Sequence, residues 1–385
     1  ILLFWAETGV DGFRCDMVEM VPTAFWKYAT SILKDNYPQT IVIGEVYDPS
    51  QYRAYVQSGF DYLYDKVGMY DCLKSVVRQE CNASTITYQW QSLDDISHHM
   101  LYFLENHDEQ RIASSFFCGD AQRAIPALIV SALLQGNPML IYAGQEFGEP
   151  GMDNEGFSGV DGRTTIFDYW TVGTIYRGYF YRNQLSVNEN DIYAQYQHIL
   201  RIAKGERAVG EGLFFDLMYV NPLSHKFNPT KHFAFLRKWQ DELLLVVVNF
   251  SGDTDSVQVN IPGHAFDYLQ LPEGRFAAID LLTGETTIER VQRDGCFPMT
   301  LNPYSGRIYK LKTKMKDDEL LPCLHNKDEF PPAHTAEHLL NQVMVRMFEC
   351  DRSTNAHVER KKSKISYILN RKPTRQDEKE IEKRM

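Results

Sequence analysis

Apolar segments that each end in polar residues recur through the first 150 positions, and this repeated layout limits the folds open to the chain. We predict strands at residues 10–16, 41–46, 100–104 and 139–143, with helices between them. The run beginning at Ile41 does not alternate, which is typical of a strand buried on both faces. Strands that alternate with helices indicate a parallel α/β sheet. In a (β/α) barrel, the functional site lies at the carboxyl ends of the strands, where these polar residues fall.

The predicted strands are too few for a closed barrel. A weaker run at 60–65 brings the total to about five, whereas a (β/α)8 barrel needs eight. We therefore predict that residues 1–210 are the C-terminal part of a (β/α)8 TIM barrel. We also expect the true N-terminus to lie upstream of Ile1.

Two further regions follow, and each has a different pattern. Residues 211–314 contain short strands separated by turn residues, which indicates an antiparallel β-sandwich. We predict its strands at 213–219, 232–239, 243–249, 256–261, 277–282 and 307–311. Residues 315–385 are dense in charge and show no recognisable strands. We predict an unrelated tail that is mostly helical or disordered, with a charged helical or disordered segment at 376–384.

The overall charge narrows the classes of partner. A formal net charge of −11 argues against binding to nucleic acid or to an anionic membrane, because both require a basic surface. No apolar run reaches the roughly 20 residues that span a bilayer. The seven cysteines are scattered and odd in number, which does not suggest a disulfide framework. The subcellular location is left open.

The segment Gly12-Phe-Arg-Cys-Asp16 places a cation and a carboxylate at the end of the first strand. Residues two apart on a strand face the same side, so Arg14 and Asp16 should point together into the mouth of the barrel. A neighbouring guanidinium lowers the pKa of a carboxyl group, as a nucleophile requires. A structural ion pair at a strand end is the competing interpretation of this segment alone.

Two more strands end in carboxyl groups that could act together with such a nucleophile. Glu45 follows the apolar run 41–44, where burial would favour the protonated form of a general acid. The strand at 100–104 ends in Glu-Asn106-His107-Asp108. Carboxylates that converge on one rim are what glycosidic cleavage uses, one attacking while another protonates the leaving oxygen.

These motifs together resemble the α-amylase superfamily, glycoside hydrolase family 13. Gly-Phe-Arg-Cys-Asp is similar to its nucleophile motif, Gly44-Glu-Val46 to its general-acid motif and Phe103-Leu-Glu-Asn-His-Asp108 to its third-carboxylate motif, in the family's order. Residues 136–146 resemble its last barrel strand. A β-sandwich that follows the barrel is similar to the family's usual C-terminal domain.

The resemblance implies a retaining hydrolase of α-glucosidic bonds in starch, maltodextrin or related α-glucans. Asp16 would be the nucleophile, oriented by Arg14, and Glu45 would be the general acid/base. Asp108 would stabilise the transition state, and His107 would bind the same sugar. The chemistry requires no cofactor.

Other residues are counted among the substrate-binding candidates. Asn106 belongs to the third motif, and Tyr47 carries a flat ring that could stack on a sugar. Trp90 and Trp170 are predicted to lie in loops and to be further candidates for stacking. Most aromatic residues of the chain are expected to be core.

The sequence departs from the family at three points. The family's first motif has no counterpart, so activity of this chain alone is left open. Many amylases carry a sugar-binding His, often preceded by Lys, four positions after the nucleophile, where this chain has Glu19-Met20. Glucosidase and transglycosylase specificities therefore stay open. A structural calcium site cannot be predicted here, because in many relatives the absent region holds part of it.

The tail suggests a rival function. His334 and His338 are four residues apart, a spacing that lets two imidazoles on one helix share a metal ion. This His-x-x-x-His motif resembles the start of an alanyl-tRNA-synthetase-type editing domain. No second pair of metal ligands follows it in the chain. A helix with two solvent-facing histidines explains the motif equally well. We interpret the tail as a fused fragment. A catalytically inactive carbohydrate-binding remnant is a third alternative.

Overall fold

The computed structural model describes residues 1–154, 160–167, 170–312, 331–348, 350, 353, 355–358 and 363–384. The chain divides into two compact units, Ile1–Met315 and Lys316–Met385. Within the described ranges, no helix combines the length and the apolar character that a membrane span requires.

A five-stranded parallel sheet forms the first part of the larger unit. Its strands are β1 (Gly12–Cys15), β2 (Ile41–Gly44), β3 (Tyr62–Tyr64), β4 (Met100–Phe103) and β5 (Met139–Leu140), in the order β1-β2-β3-β4-β5. All five predicted strands are present, and the observed strands are shorter at their ends. The fold is the expected part of a TIM barrel, because each strand pairs in parallel with the next along the chain.

Helices lie before, between and after these strands along the chain. They are α1 (Leu2–Glu7), α2 (Thr23–Asn36), α3 (Tyr52–Gln57), α4 (Asp71–Val77), α5 (Thr85–Ser92), α6 (Ile125–Leu133), α7 (Gly173–Phe180), α8 (Val187–Gly205) and α9 (Arg207–Gly210). Every residue of α6 is buried, because this helix is apolar on all sides and packs against both β4 and the sheet that follows. Ser186 and Glu189 form a reciprocal capping box that fixes the start of α8.

Antiparallel strands make up the rest of this unit, as predicted. They are β6 (Leu213–Asp216), β7 (His232–Trp239), β8 (Glu242–Asn249), β9 (Asp255–Ile261), β10 (Gly274–Asp280), β11 (Thr286–Val291), β12 (Gly295–Leu301) and β13 (Ser305–Lys312), with α10 (Gly263–Leu269) after β9. One sheet has the order β11-β10-β13-β8-β7-β6, and β12 pairs with β9 in a second sheet. The sequence did not predict β11 and β12. β11 is mostly exposed, and β12 contains Pro298 and lies in a sheet of only two strands.

The strand predicted at 213–219 ends three residues early. Oδ1 of Asp216 accepts a hydrogen bond from the backbone N–H of Met218 at 2.6 Å, which turns the chain. A short 3-10 helix follows at Met218–Val220.

The smaller unit contains secondary structure of both kinds. Its elements are α11 (Pro331–Phe348), β14 (Asn355–Val358), β15 (Ser363–Ser366) and α12 (Arg375–Arg384). The expectation of no strands in the tail was wrong, because β14 and β15 form an antiparallel hairpin. The helical interpretation of 376–384 is confirmed. The backbone of His334 and His338 belongs to α11, but both side chains lie outside the described part of the chain.

Candidate active site

The pairing of β1 with β2 brings the first two motifs to one edge of the sheet. Cys15 is paired with Gly44, so Asp16 and Glu45 are the next residues beyond the carboxyl ends of neighbouring strands. Glycine at position 44 is required sterically, because a Cβ there would lie 2.8 Å from the ring of Phe60. The close packing beneath Gly44 supports the backbone immediately before Glu45.

One guanidinium contacts both carboxylates. Nη1 of Arg14 lies 2.5 Å from Oδ1 of Asp16, and its Nη2 lies 3.1 Å from Oε1 of Glu45. The ring of Tyr64 lies beneath this cation, with its centroid 5.4 Å from Cζ of Arg14. The prediction that Arg14 and Asp16 share a face is confirmed, and the contact with Glu45 was not anticipated.

The two carboxylates differ sharply in exposure. The Asp16 side chain is 65% exposed, whereas that of Glu45 is 5% exposed. Glu45 nevertheless does not lie in a purely apolar pocket. Its Oε1 accepts a hydrogen bond from the hydroxyl of Tyr47 at 3.0 Å, and its Oε2 accepts one from the backbone N–H of Met17 at 3.2 Å.

Hydrogen bonds also join the segments that follow the two carboxylates. Met17 adopts a left-handed backbone conformation, with a φ of 45°, and begins a short 3-10 helix at Val18–Met20. The N–H of Val18 donates to the carbonyl of Glu45 at 3.1 Å. Oε1 of Glu19 accepts from the N–H groups of Tyr47, at 3.0 Å, and Asp48, at 2.6 Å. The Glu19 side chain thus points at the backbone of the loop that follows Glu45.

The third motif is shaped by its asparagine. Oδ1 of Asn106 accepts hydrogen bonds from the N–H groups of Asp108 and Glu109, both at 2.9 Å, which turns the chain sharply after β4. His107 lies with its Nε2 3.2 Å from Oδ2 of Asp108. His107 and Asp108 are both partly exposed, with side-chain exposures of 35% and 41%. Asn106 is therefore a buried turn former, while its two neighbours face solvent.

The electrostatics link the three motifs. The hydrogen bond from Arg14 is the main reason why the pKa of Asp16 lies below its usual value, and the charges of Arg14 and His107 lower it further. Burial raises the pKa of Tyr47, and the charges of Glu45 and Asp108 add to that effect. Asp16 is thus held in the ionised form, and Tyr47 is held as a hydrogen-bond donor.

A charged cluster that the sequence did not predict lies beside Tyr47. Nζ of Lys66 is 3.1 Å from Oε1 of Glu109 and 3.0 Å from Oδ1 of Asp71. The hydroxyl of Tyr70 donates to Oε2 of Glu109 at 2.9 Å. The only sequence signal for this cluster was Glu109 itself, directly after the third motif.

The three aromatic candidates have different positions. Tyr47 contacts Glu45 as described, and Trp170 is 41% exposed in a loop. Trp90 was expected in a loop but lies on α5, where its Nε1 donates to Oδ2 of Asp216 at 2.8 Å and its ring packs edge-on against Phe214. Trp90 is therefore part of the contact between α5 and β6.

No group of three or more His, Cys, Asp and Glu side chains capable of holding a metal ion occurs among the residues that the structure describes.

Comparison with known proteins identifies the family of the chain. The model of the alpha-amylase catalytic domain matches residues 1–212, which is more than half of the chain. The chain belongs to the alpha-amylase family. Within this family, the chain is 26% identical over 321 residues to neopullulanase 2 of Thermoactinomyces vulgaris, which covers 79% of the chain and 46% of that protein. It is 27% identical over 277 residues to alpha-amylase 3 of Dictyoglomus thermophilum, covering 65% and 52% of the two chains.

Solved structures of family members share the fold. The alpha-amylase of Geobacillus thermoleovorans, solved in complex with acarbose, superposes with a TM-score of 0.62 at 20% identity, covering 82% of this chain and 62% of that one. The chain thus spans about half the length of the two curated relatives named above.

Proposed function

We propose that this alpha-amylase family chain carries the catalytic carboxylates of a retaining glycoside hydrolase that cleaves α-glucosidic bonds in starch, maltodextrin or related α-glucans. The observation that carries the proposal is the contact of one guanidinium, Arg14, with both Asp16 and Glu45. Retaining enzymes hold their two carboxyl groups about 5–5.5 Å apart, too close for a water molecule to act between them. Two carboxylates that share one guanidinium are consistent with such spacing.

In the first step, Asp16 attacks the anomeric carbon while Glu45 protonates the departing glycosidic oxygen. The bond from the anomeric carbon to that oxygen breaks as the bond to Asp16 forms, which leaves a covalent glycosyl-enzyme. The exposure of Asp16 suits attack on a sugar, and its lowered pKa keeps it ionised. Arg14 orients both groups.

In the second step, Glu45 takes a proton from water as the water oxygen attacks the anomeric carbon and releases Asp16. Asp108 binds sugar hydroxyls and stabilises the positive charge that develops on the ring in both steps, and His107 forms a hydrogen bond with the same sugar. Asn106 acts through the turn that presents them. Tyr47 holds the Glu45 carboxyl and offers its partly exposed ring to a sugar.

The decisive experiment measures the release of reducing sugar from soluble starch and maltotriose by the protein expressed from its complete gene. Activity should be lost in Asp16→Asn and in Glu45→Gln. A 5-fluoroglucosyl fluoride should label Asp16, and mass spectrometry of peptides should locate the adduct. No sugar release by the unmodified protein, or unchanged activity in both variants, would disprove the proposal.

Transfer to a second sugar is the family's alternative outcome of the same glycosyl-enzyme. It differs only in the acceptor, which is a sugar hydroxyl in place of water. Chromatography of the products formed from maltotriose separates the two cases, because transfer yields oligosaccharides longer than the substrate.

A further inference from the structure

We propose that Glu19 is a positioning residue that acts on Glu45 through Tyr47. This inference rests on the proposed function, because it assigns Glu19 a role in the proton transfer that Glu45 would perform. Glu19 lies three residues after Asp16 and touches neither carboxylate among its described hydrogen bonds. Its carboxylate instead holds the chain just beyond Glu45.

The Glu19 carboxylate accepts two backbone hydrogen bonds from the loop that follows Glu45. A single oxygen, Oε1, accepts both backbone N–H groups, from Tyr47 at 3.0 Å and from Asp48 at 2.6 Å. Hydrogen bonds to a charged acceptor are shorter and stronger than neutral ones. Two converging donors therefore fix the peptide groups on both sides of Tyr47.

These two peptide groups flank Tyr47, whose side chain contacts the general acid. Tyr47 is only 2 residues from Glu45, and its hydroxyl donates to Oε1 of the same carboxyl group at 3.0 Å. Tyr47 is 41% exposed, and Nζ of Lys66 lies 6.0 Å from the centroid of its ring, so packing and backbone together set the direction of the side chain. Release of the backbone would let the hydroxyl move away from Glu45.

The backbone segment that carries Glu19 is held in place by two hydrogen bonds. The 3-10 helix that carries Glu19 is attached to Glu45 by Val18, whose N–H donates to the Glu45 carbonyl at 3.1 Å. The carbonyl of Val18 accepts from Nε1 of the buried Trp26 at 3.1 Å. The backbone that carries Glu19 is therefore anchored on both sides of the Val18 peptide, and its side chain extends from there to the N–H groups of Tyr47 and Asp48.

The test compares two substrates in the protein expressed from its complete gene. Hydrolysis of maltotriose needs proton donation to the leaving oxygen, whereas hydrolysis of α-maltosyl fluoride does not, because fluoride leaves without a proton. If Glu19 acts on the general acid, Glu19→Ala should lower kcat/KM on maltotriose about 10- to 100-fold, the loss expected from a misplacement near 1 Å. The loss of kcat/KM on the fluoride should stay within about threefold, because kcat/KM reports the steps up to the glycosyl-enzyme, before Glu45 acts as a base.

Two further variants separate positioning from general damage. Glu19→Gln keeps the one oxygen that accepts both N–H groups, so it should retain kcat within about threefold. Glu19→Asp is one methylene shorter and cannot reach, so it should behave as alanine does and replaces that variant if alanine fails to fold. Glu7→Ala, at an exposed glutamate on α1, is the control and should leave kcat unchanged.

A double-mutant cycle completes the test. If Glu19 acts through Tyr47, adding Glu19→Ala to Tyr47→Phe should cost little beyond the larger single loss. Equal losses on both substrates, or single losses that multiply in the double variant, would overturn the proposal for Glu19. If Glu45→Gln itself left maltotriose hydrolysis intact, the proposed function would fail instead, so the two failures are distinguishable.

Discussion

The hydroxyl of Tyr47 lies 3.0 Å from Oε1 of Glu45 and donates a hydrogen bond to it. Tyr47→Phe removes this donor and keeps the ring. Because a hydrogen bond to a charged group contributes about 1.5–3 kcal/mol, we expect kcat on soluble starch to fall about tenfold or more. Initial rates of reducing-sugar release measure the loss. Tyr28→Phe, at an exposed tyrosine on α2, is the matched control, and a kcat within twofold of the unmodified protein in Tyr47→Phe would contradict the prediction.

The contact of Arg14 with Asp16 predicts a shift in the pH profile. The guanidinium holds the pKa of Asp16 below its usual value, and the proposed nucleophile is active above that pKa, where it is ionised. Arg14→Met removes the cation, so the pKa of Asp16 should rise toward its usual value of about 3.9. The acidic limb of kcat/KM should therefore move to higher pH, in addition to a loss of rate.

The control for this shift is Arg53→Met, which removes an arginine that pairs with Asp95 at 2.6 Å on the exposed surface. Its pH profile should match that of the unmodified protein. An acidic limb that stays in place in Arg14→Met would show that Arg14 does not set the ionisation of Asp16.

The buried ion pair between Arg111 and Glu105 predicts a large loss of stability. Their side chains are each 1% exposed, with Nη1 of Arg111 2.8 Å from Oε2 of Glu105. Arg111→Met would leave a buried carboxylate without its cation, and we expect the free energy of unfolding to fall by about 3–5 kcal/mol. Urea denaturation measures it. Arg293→Met breaks an exposed pair with Asp267 and should lower the free energy of unfolding far less, so equal losses in the two variants would refute the prediction.

Arg237 on β7 offers a second test of stability, at the contact between the barrel part and the antiparallel sheet. Its guanidinium donates to the carbonyls of Leu134, Ala208 and Val209. Burial lowers its pKa to about 10, so it stays protonated at neutral pH. Arg237→Met would leave these acceptors without their donor, at about 1–3 kcal/mol each.

We therefore expect Arg237→Met to lower the urea midpoint of the protein well below that of Arg275→Met, a change at an exposed arginine on β10. Equal midpoints would mean that water or other donors replace the guanidinium.

The sequence predicted the parallel strands because their apolar runs stop abruptly at polar residues. The convergence of Asp16 and Glu45 followed from the same pattern, since neighbouring parallel strands end at one edge. The strand ends were less predictable, and β6 stops at Asp216 because a side-chain hydrogen bond competes with the ladder. Polar β11 carries weak periodicity. β12 alternates between buried and exposed residues but contains Pro298, which argues against a strand. The two tail strands are only four residues long, within a charge-rich region.

Tertiary contacts within the site were out of reach of the sequence. That Arg14 touches Glu45 as well as Asp16 depends on the register of β1 against β2. The path from Glu19 to the Tyr47 backbone depends on the left-handed residue Met17, and nothing in a Met-Val-Glu triplet signals it. Trp90 was misplaced because its hydrogen bond to Asp216 spans 126 residues of sequence.

The hydrogen bonds between residues 17–19 and 45–48 bear on how the specificity of such a protein can be engineered. Exchange of the short segment after Asp16 for that of another family member would look, in an alignment, like a local edit to a sugar-contacting loop. Here it would also withdraw the support beneath Tyr47 and Asp48. Segment exchanges and mutant libraries at this position should therefore vary residues 17–19 and 45–48 together.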